Sequence, residues 1–156
     1  MNRHLLSALT LSLLGSVYPF AAQAEMLNIT QAWVREAPPT SAVNAAYMHI
    51  ANPTAQEHAI IGASSPQFDV VEMHRTEIVD GMARMLPQER LVVPANGNVS
   101  LEPNGLHLML IQAKQPVKAG DHVEINLRLE GGGTQKLDAE VRPAMAEGMD
   151  HSHHQH

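Results

Sequence analysis

The sequence predicts an all-β domain, built as a sandwich or barrel of seven or eight strands. Between Met26 and Arg142, short apolar runs are separated by Pro, Gly, Asn and Asp about every 8–12 residues, which is the spacing of strands and turns. Several of these runs alternate apolar and polar residues, as half-buried strands do. No segment shows the 3.6-residue apolar period of an amphipathic helix.

Turn signals divide this region into its strands. The first strand begins at Leu27 and stops before Pro38-Pro39, since proline removes a backbone donor. The Asp80-Gly81 pair predicts a two-residue hairpin turn, because both residues tolerate positive φ. Leu106–Ala113 is the most apolar strand. The other strands are expected over residues 44–52, 57–63, 68–79, 82–86, 122–129 and 134–141, with short pieces at 91–93 and 99–101.

Both ends of the chain differ from this β region. Arg3, the apolar residues 5–17 and the Ala22-Gln23-Ala24 motif form the three parts of a secretory signal peptide, so we expect residues 1–24 to be removed. Residues 25–142 then form one domain, which is large enough for a single two-layer core. Residues 143–156 contain no core-forming run, so we expect them to form a flexible tail.

The charge balance limits the classes of partner. Without Arg3, 9 basic residues remain against 16 acidic ones, and this formal net charge of −7 argues against binding to nucleic acid or anionic membranes. No second hydrophobic segment follows the signal peptide, so we expect a mature chain that does not insert into a membrane, and a monomer. The sequence offers no evident nucleophile–base pair, and we therefore expect no enzymatic activity.

Four residues carry the most specific chemical signal. His74, Met85, His107 and Met109 supply two imidazoles and two thioethers in a chain without cysteine. Thioether sulfur is a soft donor that favours Cu(I), while imidazole binds Cu(I), Cu(II) and Zn. A mixed His/Met set without thiolate therefore indicates copper, and it suits an oxidising compartment in which thiols are lost to disulfides. The missing thiolate also argues against electron transfer of the blue-copper kind.

The predicted strands bring these four residues together in pairs. In the strand over residues 106–113, alternation places Leu106, Leu108 and Leu110 on one face, and His107 with Met109 on the other.

The second pair comes from the predicted hairpin. The Asp80-Gly81 turn brings His74 toward Met85, because positions about five residues either side of a tight turn approach each other. Met82 is another candidate donor, although core or turn packing explains it equally well. Glu72 lies two residues before His74 and could orient that ring as a hydrogen-bond acceptor. A solvated strand residue is the preferred interpretation of Glu72.

The spacing of the four residues resembles the signature of the periplasmic CuA chaperone (PCuAC) family. Ten residues separate His74 from Met85, twenty-one separate Met85 from His107, and one separates His107 from Met109, as in that family. Asn104-Gly105 departs slightly from the Gly-Gly pair that is common there. Other similar segments are Ala32-Trp33-Val34-Arg35, Ala46-Tyr47-Met48, Asn52-Pro53 and Ala119-Gly120-Asp121.

This resemblance implies both a fold and a function. The fold would be a cupredoxin-like β-sandwich with Greek-key connections, binding one Cu(I) in an exposed site through His74, Met85, His107 and Met109. The function would be that of a periplasmic copper metallochaperone. It would deliver Cu(I) toward the CuA-bearing subunit of cytochrome c oxidase, alongside Sco-type thiol proteins.

The tail carries a second group of potential ligands. A His-rich tract is typical of metal-binding segments, and imidazoles on a flexible chain favour Cu(II). The sequence therefore predicts a second, looser site for Cu(II), formed by Met145, Met149, His151, His153, His154 and His156. The remnant of an affinity tag is the alternative, although Ser152 and Gln155 interrupt the run.

Two other functions fit the same sequence. A periplasmic copper-buffering or resistance protein would use the same residues to sequester the metal. A metal-independent β-sandwich interaction module would carry these His and Met residues incidentally, and its folded domain would take up no Cu(I).

Overall fold

A computed structural model describes residues 27–144 of the chain. Within this range there are ten strands and no α-helix. None of these residues belongs to a helix long and apolar enough to cross a membrane. The expected signal peptide, and the tail from Met145 onward, lie outside the described residues. The strands are β1 (Asn28–Arg35), β2 (Val43–Ala51), β3 (His58–Ser64), β4 (Phe68–Val79), β5 (Met82–Pro87), β6 (Leu91–Val93), β7 (Asn98–Leu101), β8 (Leu106–Ala113), β9 (His122–Leu129) and β10 (Thr134–Arg142).

The all-β prediction is confirmed, with two differences in detail. The expected count of seven or eight strands was too low, because the two short pieces form ladders of their own: β6 pairs with β3, and β7 pairs with β2. The sheet is also not closed, so the sandwich alternative describes the fold and the barrel does not. Its strand order is β5-β4-β8-β2-β1-β10-β9-β3-β6, which leaves β5 and β6 at the two ends.

The core forms where this long sheet folds over itself. Both halves of the strand order contribute fully buried side chains to one apolar cluster, among them Ile50 of β2 and Leu110 of β8 on one side, and Ile60 of β3 and Ile125 of β9 on the other. The opposite face of β4, β8 and β2 lies outside this cluster. Only β1 and β10 pair in parallel; every other ladder between described strands is antiparallel.

Two turns with positive φ values precede β5 and β8, two of the strands that carry candidate metal ligands. Asp80 and Gly81 join β4 to β5 with φ values of 52° and 76°, so both central residues have the positive φ of a type I′ hairpin, as predicted. Asn104 precedes β8 with φ of 63°. Asparagine tolerates this left-handed conformation better than most residues, which explains why it can replace glycine there.

A surface ion pair on the opposite half of the sheet gives a first testable prediction. His122 and Asp138 lie on β9 and β10, and the hydrogen bond from His122 Nδ1 to the Asp138 carboxylate raises the pKa of His122 above its usual value near 6.5. A raised folded-state pKa adds stability that is complete below pH 6.5 and is lost as the pH rises through the pKa of the folded protein. Asp138→Asn should lower the His122 pKa and remove most of this pH dependence. An NMR titration of the imidazole, with urea unfolding at two pH values, measures both effects; a wild-type His122 pKa at or below 6.5 would contradict the assignment.

Candidate metal centre

Pairing of β4 with β8 brings the two histidines together. His74 is the direct cross-strand partner of His107, so both side chains emerge on the same face of the sheet. Their ring centroids are 6.1 Å apart. Both residues are buried, with 8% of His74 and 5% of His107 exposed. Two imidazoles are thus held side by side on neighbouring strands, beneath the protein surface.

The two methionines flank this pair on the same face. Met109 lies two residues after His107 on β8, and Leu108 and Leu110 point into the core instead, as the alternation predicted. Met85 lies on β5 and is 58% exposed. Met85, His107 and Met109 line one surface cavity of about 470 Å³.

The hairpin register sets how His74 and Met85 approach each other. The direct partner of Met85 is Thr76, while His74 is paired with Pro87. His74 and Met85 are therefore diagonal neighbours on one face, within reach of a long side chain but not opposite each other. Met82 pairs with Val79, so it lies on the other face of the hairpin and away from the histidines.

Hydrogen bonding leaves one nitrogen of His74 without a partner. Its Nε2 lies 2.8 Å from Oε2 of Glu72, a residue on the same strand and the same face. Its Nδ1 is buried and, in the described structure, has no hydrogen-bond partner. Leaving a buried polar atom unpaired typically costs about 1–3 kcal/mol, so such an atom calls for an explanation.

His107 is hydrogen-bonded through its other ring nitrogen, Nδ1. Its Nδ1 lies 3.0 Å from the carbonyl oxygen of Gly105, which also accepts the backbone N–H of Thr76 at 3.0 Å. A carbonyl can only accept, so Nδ1 of His107 carries the proton, and Nε2 of the neutral ring keeps its lone pair. The turn at Asn104-Gly105 thus fixes the orientation of this ring.

The donor set formed here fits a soft metal ion. Within residues 27–144, no group of three or more His, Cys, Asp and Glu residues could hold a metal. The thioethers of Met85 and Met109 lie on the same face as the two imidazoles and could complete a four-donor set. Two neutral nitrogens and two thioether sulfurs match the preference of Cu(I).

Two further side chains on this face, Arg35 and Tyr47, were not predicted as site residues. Glu72 is exposed, as expected, and it also contacts His74, which was the alternative raised for it. Arg35 and Tyr47 line the cavity with the candidate ligands, and the Arg35 guanidinium lies 5.4 Å from the centre of the Tyr47 ring. The Trp33 ring extends this layer, with its centroid 4.7 Å from that of Tyr47. The available signal was the segment Ala32-Trp33-Val34-Arg35, whose alternation puts Trp33 and Arg35 on one face.

The edge of the sheet beside the site is exposed and apolar. Every residue of β5 is exposed, and β5 is a terminal strand of the sheet. The large apolar side chains that are exposed in the described part of the chain all lie on β4 or β5: Val70, Ile78, Met82, Met85 and Leu86. Val70, Ile78 and Met85 lie on the face that carries the histidines, and Met82 and Leu86 lie on the opposite face. Exposed apolar side chains at a sheet edge are typical of interaction sites.

Comparisons with known proteins agree with this architecture. The family model for putative LpqE-like lipoproteins matches residues 27–141. The putative lipoprotein Lxx21020 of Leifsonia xyli subsp. xyli is 28% identical over 121 residues, which cover 77% of this chain and 72% of that protein. The solution structure of Cu(I)-DR1885 from Deinococcus radiodurans is 34% identical with a TM-score of 0.61, covering 78% of this chain and 83% of that one.

A further solved structure supports the fold alone. The copper-bound PCuAC domain from PmoF2 is 22% identical with a TM-score of 0.63, and the match covers 75% of this chain and 92% of that domain. The family match over most of the chain and the similarity to DR1885 assign its family. The chain belongs to the LpqE-like family of PCuAC-type domains and has their cupredoxin-like fold.

Proposed function

We propose that this protein is a copper metallochaperone that binds one Cu(I) ion through His74, Met85, His107 and Met109. The observation that carries the proposal is the buried Nδ1 of His74, which lacks a hydrogen-bond partner on a face shared with the other three donors. A bound metal ion would supply that missing partner. The similarity to a protein solved with Cu(I), DR1885, supports copper as the metal.

The chemistry of the four donors suits a carrier rather than an enzyme. Imidazole and thioether are neutral ligands, so a Cu(I) complex keeps a charge of +1, and soft sulfur favours Cu(I) over Cu(II). Met85 is more than half exposed on an edge strand, so a partner's donor atoms can reach the ion from that side. Ligand exchange between two proteins needs such access.

The destination of the copper is also part of the proposal, and it rests on the family resemblance. We infer delivery toward the CuA-bearing subunit of cytochrome c oxidase, with Sco-type thiol proteins as further partners. Ile78 is exposed on the same face as Met85 at this edge, which supports a protein acceptor. Export to the periplasm is part of this proposal, supported by the signal-like residues 1–24 and by relatives described as putative lipoproteins.

The His/Met tail is proposed as a second site, for Cu(II). Its candidate donors begin at Met145, three residues after the end of β10. The last residue of β10, Arg142, pairs with Arg35, and Arg35 lines the cavity beside Met85, His107 and Met109. Donors on the tail therefore follow directly from the side of the domain that bears the Cu(I) site, and they could supply it.

Anaerobic titration with Cu(I) against a chromogenic chelator tests the core site. We expect a variant truncated after Ala144 to take up one tightly bound Cu(I), because all four donors precede that residue. In the same truncated chain, Met85→Ala combined with Met109→Ala removes both thioethers and should abolish uptake in competition with the chelator. Total Cu(II) uptake should fall on truncation if the tail forms the second site.

Met82→Ala is the matched control for this experiment. Met82 is as exposed as Met85 and lies on the same hairpin, but it points to the opposite face. Its substitution should leave Cu(I) uptake unchanged. A truncated wild-type domain that takes up no Cu(I) would overturn the proposed function and favour the interaction module.

A further inference from the structure

The hydrogen bonds of the two candidate imidazoles fix which nitrogen each can offer. A neutral imidazole has one N–H donor and one bare nitrogen. The Glu72 carboxylate accepts a hydrogen bond from Nε2–H of His74, so Nδ1 of that ring is bare. The Gly105 carbonyl accepts a hydrogen bond from Nδ1–H of His107, so Nε2 of that ring is bare. The two rings are therefore prepared in opposite tautomers.

We propose that Glu72 is a positioning residue, and that copper is bound through Nδ1 of His74 and Nε2 of His107. This inference rests on the proposed function and adds a residue to it. The carboxylate holds His74 in the tautomer whose bare nitrogen is buried, and it orients the ring toward the face shared with His107. A carboxylate that hydrogen-bonds a metal-binding imidazole both fixes its orientation and increases its basicity.

Three observations favour Glu72 for this role. Its Oε2 is 2.8 Å from Nε2 of His74, the distance of a charge-assisted hydrogen bond. It lies two residues before His74 on β4, so strand alternation puts both side chains on the same face without a loop in between. Its cross-strand partner is Met109, so the carboxylate stands at the border of the donor set.

His74 and His107 differ in the kind of group that accepts their ring N–H: a side chain for His74 and a backbone carbonyl for His107. The His107 ring is held by a backbone carbonyl supplied by the turn before β8. His74 lies in the middle of a twelve-residue strand, where backbone carbonyls are committed to the ladders with β5 and β8. The group within hydrogen-bond distance of its Nε2 is the Glu72 carboxylate.

Imidazole NMR of the full mature chain provides the test, because Cu(I) is diamagnetic. In the metal-free protein, long-range proton–nitrogen correlations should find His74 protonated at Nε2 and His107 protonated at Nδ1. One equivalent of Cu(I), added anaerobically, should produce its largest nitrogen shifts at Nδ1 of His74 and Nε2 of His107. A larger nitrogen shift at Nε2 than at Nδ1 of His74 would overturn the proposal.

Two substitutions separate positioning from a merely structural role. Glu72→Leu removes the acceptor, so His74 should become a mixture of tautomers and the Kd for Cu(I) should rise about 10-fold or more. Glu72→Gln keeps an oxygen acceptor without the charge, so its tautomer ratio and Kd should fall between those of Glu72→Leu and wild type. Glu77→Leu is the matched control: Glu77 is exposed on the same strand but faces the other way, opposite Arg84.

The outcomes distinguish this inference from the proposed function. Normal Cu(I) uptake by wild type, with an unchanged Kd or an unchanged tautomer ratio in Glu72→Leu, overturns the role of Glu72 alone. No Cu(I) uptake by wild type overturns both. The ordered series of wild type, Glu72→Gln and Glu72→Leu, in tautomer ratio and in Kd, establishes the positioning role.

Discussion

His107→Ala should weaken Cu(I) binding by more than the 10–100-fold that is typical of losing a contact to a ligand, because it removes a ligand itself. His107 is 5% exposed and its ring is fixed by the Gly105 carbonyl, so its Nε2 needs little reorganisation to bind a metal. It also stands between His74 on the neighbouring strand and Met109 two residues away. No other imidazole in the described residues contacts this group, so the loss should not be compensated.

Competition titration of Cu(I) in the chain truncated after Ala144 measures this effect. His122→Ala is the control, since His122 lies on β9 with an exposed side chain and contacts Asp138 rather than the site. Circular dichroism establishes that each variant is folded before its Kd is compared. A His107→Ala variant with the wild-type Kd would exclude His107 as a ligand.

Leu110→Ala should lower the free energy of unfolding by about 2–5 kcal/mol, the range measured for buried leucines. Leu110 is fully buried on β8, the strand that lies between β4 and β2 and carries His107 and Met109. Truncation of its side chain removes apolar contacts and leaves a cavity in a core that both halves of the sheet share. The cost depends on how far the surrounding side chains can relax into that space.

Urea unfolding of metal-free protein at neutral pH measures the loss. Leu86→Ala is the matched control, because Leu86 is 38% exposed on the edge strand β5 and should cost far less. Equal destabilisation by the two substitutions would contradict the assignment of the core. The metal-free state is used because bound metal stabilises the folded protein by mass action.

Local patterns predicted much of the fold and part of the site. The alternation in β8 correctly separated Leu108 and Leu110 from His107 and Met109, because side chains on a strand point to opposite faces in turn. The Asp80-Gly81 pair correctly located the β4–β5 hairpin, because its turn type depends on those two residues.

Contacts between distant segments could not be predicted in the same way. The direct pairing of His74 with His107 depends on the neighbouring positions of β4 and β8 in the sheet, which no local pattern specifies. The turn signal predicted that His74 and Met85 approach each other but not their register; the structure pairs Met85 with Thr76 and leaves His74 as its diagonal neighbour. The sequence left two interpretations of Glu72 open, a solvated residue or an acceptor for His74, because strand alternation allows both. Its 2.8 Å distance to His74 supports the second.

The register of β4 against β8 links the position of His74 to the stability of the core. A slip of one residue would turn His74 toward the interior and Met73 toward solvent, because every side chain of a strand changes face together. Met73, which is paired with Leu108 in the core, would then lose its burial, and Leu108 would lose this apolar neighbour. A register that displaces His74 from the site therefore also destabilises the fold. Core residues such as Met73, which do not contact the metal, therefore help to fix the strand register that places His74 in the candidate site.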